Sequence, residues 1–102
     1  MSTISNAFMT FSQEAPEHAK VWAEMVIGLS GANVLDKKTG SLAYLAVLAA
    51  LGLVSGIPFH VTEAQKAGAT RDEIISAILL GLPAAGHTVT QALPPAIAAL
   101  DE

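Results

Sequence analysis

The chain has 102 residues, five Lys or Arg against nine Asp or Glu, a formal net charge of −4, 52% hydrophobic residues and no cysteine. That length fits one domain, expected over residues 1–102, which as a folded monomer would bury roughly 64% of the surface its unfolded chain exposes. The acidic balance and scattered cations exclude an electrostatic grip on nucleic acid, and the missing cysteines exclude disulfides, thiolate metal sites and thiol redox chemistry by these residues.

Residues 1–6 place no basic region ahead of an apolar run, so no secretory signal is read and the cytoplasm is the expected compartment. Over 5–15, Ala7, Phe8, Phe11 and Ala15 recur at a spacing of three to four, which predicts a short amphipathic helix. Pro16 suits a first helical position and opens a second helix. Trp22, Met25, Val26 and Leu29 form its apolar stripe, a core or interface pattern, with Glu17, Lys20 and Glu24 towards water. Gly31, in Ser30-Gly31-Ala32-Asn33, is expected to stop that helix as a left-handed cap.

Asp36 is a good N-cap for a third element. The uncharged run from Ser41 to Phe59, SLAYLAVLAALGLVSGIPF, has no polar face, so as a helix it is expected to be buried all round. Gly52, Ser55, Gly56 and Pro58 interrupt it. A fresh helix is expected from about 55–58, carrying His60, Glu63, Ala64 and Ala67 to a stop at Gly68. Thr70 and Glu73 then form a T-x-x-E capping box, with Asp72 and Glu73 favoured by the helix dipole. Ile74, Ile75, Ile78, Leu79 and Leu82 continue that helix until Gly81, Pro83 and Gly86 end it. A last helical stretch, 88–100, is expected to be interrupted by Pro94-Pro95. No strand-like alternation appears. The expected fold class is all-α, five to six helices, with a helical hairpin over 42–68 at its centre.

Only 14% of the residues are charged, against about 25% in ordinary soluble domains, too few to coat a small sphere. Apolar surface must therefore face another subunit or a bilayer. The stretches 41–59 and 74–100 are long enough to span a membrane. Their glycines and prolines, their alanine content and the lack of Trp/Tyr belts argue against insertion. Self-association is the expected partner, with no membrane and no nucleic acid.

The order Leu35-Asp36-Lys37-Lys38-Thr39, a buried helix from Leu42 to Leu51, a break, His60, and then Lys66-Ala67-Gly68-Ala69-Thr70-Arg71-Asp72-Glu73-Ile74 resembles the carboxymuconolactone decarboxylase / alkylhydroperoxidase D-like family, over roughly residues 16–86. The resemblance implies an all-α subunit of the alkylhydroperoxidase D-like kind, assembled as a homo-trimer or homo-hexamer. In the peroxidase branch the pattern is a glutamate, then C-x-x-C, then a histidine. Here His60 alone remains: Leu53 and Gly56 stand at the two cysteine positions and Ser41 at the glutamate position. Without sulfur, thiol–disulfide exchange is impossible.

The decarboxylase branch implies proton transfer on a small organic acid or lactone by a histidine and nearby acids. His60 is the candidate proton-transfer residue, its position early in a helix favouring neutral imidazole. Glu63 shares its helical face and is the candidate catalytic partner; pairing with Lys66 is its other reading. Ser55, Tyr44 and His87 are candidate substrate-binding residues. Ser55 otherwise caps a helix, His87 otherwise caps a broken one, and the Tyr44 hydroxyl needs a partner if buried. No metal-ligand spacing is read from His60, Glu63 and His87, and no cofactor is expected. The other function class open to this sequence is a non-catalytic oligomeric binding or assembly protein on the same scaffold.

Overall fold

A computed structural model describes residues 4–102, so the reading of the extreme N-terminus begins on residues outside it. The described residues are helical throughout, with no strand among them, and they form two compact units, Ile4–Leu35 and Asp36–Glu102. The all-α expectation holds.

In the first unit, Ser5 caps α1 (Asn6–Glu14) by accepting from the Phe8 N–H at 3.1 Å. Pro16 is the first residue of α2 (Pro16–Ala32), where its missing N–H costs nothing. The rings of Phe8, Phe11 and Trp22 meet edge-on, Phe8 and Trp22 with centroids 5.2 Å apart. Two expectations change here. Gly31 lies inside α2, not at a left-handed stop: the helix runs on to Asn33, whose N–H still reaches the Leu29 carbonyl at 3.0 Å before its backbone turns extended. The stripe Trp22, Met25, Val26 and Leu29 is not core of this chain, because neither helix of the unit has a buried residue.

The second unit holds the core. Asp36 caps α3 (Lys37–Leu51) through the Thr39 N–H at 2.8 Å. Gly52 ends α3 with φ 72°, and the Leu53 N–H returns to the Leu48 carbonyl at 2.9 Å. A 3₁₀ turn, Val54–Gly56, leads into α4 (Ile57–Lys66). Gly68, φ 97°, closes α4 with the paired bonds of a Schellman motif, Ala69 N–H to Ala64 and Gly68 N–H to Gln65, both 2.9 Å. Thr70 and Glu73 make the reciprocal capping box of α5 (Arg71–Leu79), at 2.9 and 3.1 Å. The short α6 (Leu82–Ala85), a 3₁₀ stretch Gly86–Ala92 and α7 (Leu93–Leu100) complete the chain.

Leu45, Leu48, Ala49, Ile57, Val61, Ala64, Ile74, Ile78, Val89, Ala92 and Ala96 form one buried cluster, drawn from α3, α4, α5, α7 and the 3₁₀ stretch. The α3–α4 hairpin is therefore central, as the sequence suggests. Its first helix is not buried all round, however. Only Leu45, Leu48 and Ala49 of α3 are buried, while Tyr44, Val47 and Leu51 stand 48%, 51% and 65% exposed. One face of α3 packs on α4, α5 and the 3₁₀ stretch Gly86–Ala92, and the other carries these exposed side chains.

Pro94 and Pro95 do not interrupt the last helix. They sit in its first turn, where no intrahelical N–H bond is lost, so the prolines start α7. Residues Arg71–Leu100 have the length and mean hydropathy, 1.3, of a membrane-crossing segment. They are broken after Leu79 and again at Gly86, φ 71°, and the pieces pack around α3 and α4.

Candidate functional site

The site grows from the way α4 begins. Gly52 in a left-handed conformation turns the chain out of α3, and the 3₁₀ turn returns it antiparallel. Pro58, in the first turn of α4, supplies a preset φ and one donor fewer to satisfy. Ile57 and Val61 anchor the inner face of α4 in the core, which leaves His60 on its flank, half-buried. There the imidazole meets the Tyr44 ring from α3, centroids 4.5 Å apart and planes tilted by 46°. The Phe59 ring stands edge-on to it at 5.1 Å.

This wall of rings sets the electrostatics. Removing water from the imidazole disfavours its charged form, so burial holds the His60 pKa below its usual 6.5. Glu63, one turn further along α4, pulls the other way through its negative charge and does not prevail. Burial thus favours the neutral imidazole at pH 7, a cause different from the helix start to which the sequence pointed. Its lone-pair nitrogen is a proton acceptor.

Glu63 acts on His60 at a distance, without a hydrogen bond between them. Its carboxylate pairs loosely with Lys66 at 3.9 Å, and Lys66 is 70% exposed, an arrangement worth little by itself. The structure therefore brings His60, Tyr44 and Glu63 together. Phe59, which the sequence reading left out, joins them; its place directly before the histidine on one helix was the available signal.

Ser55 and His87 behave differently. Ser55 is an exposed residue of the 3₁₀ turn, and no side chain caps α4, whose N-cap is Gly56. The expected cap is absent because Gly56 already has helical angles and Pro58 removes a donor. His87 is exposed in the 3₁₀ stretch, where its carbonyl accepts from the Thr90 hydroxyl at 2.7 Å. The ring contacts of His60 are with Tyr44 and Phe59 and do not include His87.

Of the cations in the second unit, Lys38 is held by Glu73 at 2.8 Å and Arg71 by Asp101 at 2.7 Å, each pair tying a helix N-terminus to another element. Hollows in the surface lie elsewhere. One, of about 340 Å³, is lined by Leu42, Asp72, Glu73, Ser76, Ala77 and Leu80; the other, of about 300 Å³, lies beside Glu17, His18 and Val21. His60 lines neither of these two.

The family model described as Carboxymuconolactone decarboxylase family matches residues 16–98, which takes in α2 through nearly all of α7. Neither a curated protein nor a solved structure matches the chain.

Proposed function

The chain belongs to the carboxymuconolactone decarboxylase family, and from that premise we propose that it acts on a small organic acid or lactone by proton transfer at His60. The observation that supports this reading is the half-buried imidazole stacked on Tyr44 and kept neutral by that burial. Enolisation of a lactone breaks a C–H bond beside the carbonyl, leaves the electron pair conjugated into the C=O, and needs a neutral base to take the proton. Decarboxylation leaves the pair of the broken C–C bond on the same carbon, which then needs the proton delivered. The neutral imidazole takes the proton in the first case; in the second it must first gain a proton from water, and the imidazolium then delivers it to the carbon. Glu63 favours the imidazolium as it forms, and Tyr44 and Phe59 hold the ring. Peroxidase chemistry by these residues is excluded, since there is no thiol to oxidise.

The test is exchange of lactone α-protons in D₂O and carbon dioxide release from a panel of 3-oxo and γ-lactone acids. Replacement of His60 by Gln is expected to lower any turnover by about 10²–10⁴-fold, the usual contribution of a positioned general base. Turnover that is equal in the variant rejects the reading.

A second reading, a non-catalytic oligomeric binder, draws on the apolar surface of α2. Val21, Met25, Ile27 and Leu29 stand 66%, 51%, 71% and 62% exposed. We place self-association, as a homo-trimer or homo-hexamer, under either reading, because surface this apolar is rarely left in water. Light scattering after size exclusion measures it, and a monomer at micromolar concentration rejects it.

A further inference from the structure

Resting on the reading of His60 as the proton-transfer residue, we infer that Gly56 is the specificity-determining residue of this site. The side chain it lacks leaves the gap through which a substituted carbon reaches the imidazole. Gly56 is the N-cap of α4 and is half-buried. A Cβ there would stand between two neighbours, the Leu48 methyls at 3.5 and 3.7 Å and the His60 Cδ2 at 3.9 Å. Nothing in the fold asks for glycine at this place. Its φ of −87° and ψ of −12° are the angles most residues adopt at the third position of a type I turn. The added carbon meets only ordinary contact distances. Ser, Thr, Asp or Asn fills an N-cap as well or better. What glycine leaves is room beside one edge of the imidazole.

The ring neighbours of His60 are bulky: Tyr44 lies 4.5 Å away between centroids, and Phe59 stands edge-on at 5.1 Å. Towards Gly56 the imidazole presents Cδ2, which is bonded to Nε2. Turning the ring over puts Nδ1 there instead, so a nitrogen stands at or next to this edge in either orientation. Proton transfer needs the reacting atoms within about 3–3.5 Å of each other. Water or a hydroxyl reaches a nitrogen through a narrow opening, whereas a carbon acid brings the substituents of its carbon along. An alanine methyl 3.9 Å from Cδ2 narrows that approach, and the branched side chain of valine fills it. Gly56 therefore admits substituted carbons where a larger residue admits only small donors.

The experiment measures access to His60 directly. An imidazole nitrogen attacks a carbonyl of diethyl pyrocarbonate: the N–C bond forms, the bridging C–O bond breaks, and ethyl carbonate leaves. Labelling of the full chain at pH 8 is followed by peptide mass spectrometry, with the exposed His18 and His87 as references in the same sample. Labelling of His60 is expected to slow about threefold in G56A and about tenfold in G56V, the latter a barrier rise of about 1.4 kcal/mol. His18 and His87 keep their rates. Circular dichroism and thermal unfolding show that each variant is folded, and G56A carries the test if valine is not tolerated. Unchanged relative labelling of His60 in the folded variants overturns the inference. So does a G56A chain that fails to fold, since glycine is then needed by the backbone or the packing. Specificity is read from α-proton exchange of γ-butyrolactone and its α-methyl derivative in D₂O. G56A is expected to shift the ratio towards the unsubstituted probe, and an unmoved ratio overturns the specificity role. Slowed labelling in the variants of a parent that shows no His60-dependent exchange supports the gap at Gly56 and rejects the proton-transfer reading.

Discussion

His60 and Tyr44 come from different helices, sixteen residues apart in the chain, yet their rings lie 4.5 Å apart centre to centre. Tyr44 is thus one wall of the desolvated environment that keeps His60 neutral. Replacing Tyr44 by Ala is expected to raise the His60 pKa back towards 6.5, whereas Tyr44→Phe leaves it nearly unchanged. An NMR titration of the His60 ring protons checks both. An unmoved value in Y44A shows that the wall lies elsewhere.

The same burial predicts how stability depends on pH. A histidine with a depressed folded-state pKa takes up its proton first in the unfolded chain. Unfolding is therefore favoured as pH falls through 6.5 towards the lower folded value, and no such effect operates above 6.5. His60→Gln should flatten that part of the profile, measured as urea midpoints between pH 7.5 and 5. Glu73 acts at lower pH. Its carboxylate is held below the usual 4.5 by Lys38 and the Thr70 N–H, so the stability it contributes is present above 4.5 and lost as pH drops through its folded value.

Thr70 offers a measure of local punctuation. Its hydroxyl accepts from the Glu73 N–H at 3.1 Å, half of the capping box of α5. Thr70→Ala is expected to cost about 1 kcal/mol by denaturant unfolding. Thr70→Ser should restore most of it. A variant as stable as the parent shows that α5 is held by packing alone.

Two glycines should respond oppositely to alanine. Gly68 has open space around it, but its φ of 97° strains any L side chain, so Gly68→Ala is expected to destabilise by about 1–2 kcal/mol. Gly56 has helical angles, φ −87° and ψ −12°, and an added Cβ would meet Leu48 at an ordinary 3.5 Å. Gly56→Ala should be neutral or stabilise by roughly 0.4–1 kcal/mol, since it restricts the unfolded chain without strain. Thermal unfolding of the pair decides between conformation and space.

In the core, Ile74 is fully buried in the first turns of α5 among residues of the central cluster. Ile74→Ala should cost about 2–5 kcal/mol, the range for emptying a packed site. Leu80, 73% exposed on the same run of sequence, should cost almost nothing when replaced by Ala.

The sequence by itself determined the helical class, the start of α3 at Asp36, the capping box at Thr70 and Glu73, and the stop at Gly68. Each is a local matter of one donor, one acceptor or one backbone angle within a few residues. It also settled the absence of thiol chemistry and the scarcity of cations, which composition alone decides. Tertiary structure decided what local signals leave open. The apolar run of α3 looked the same on every side, and packing against α4, α5 and the 3₁₀ stretch Gly86–Ala92 selected Leu45, Leu48 and Ala49 for the interior, leaving Tyr44 half-exposed. That choice put Tyr44 beside His60. A ring contact between two helices depends on how they cross, and no spacing within either helix encodes it.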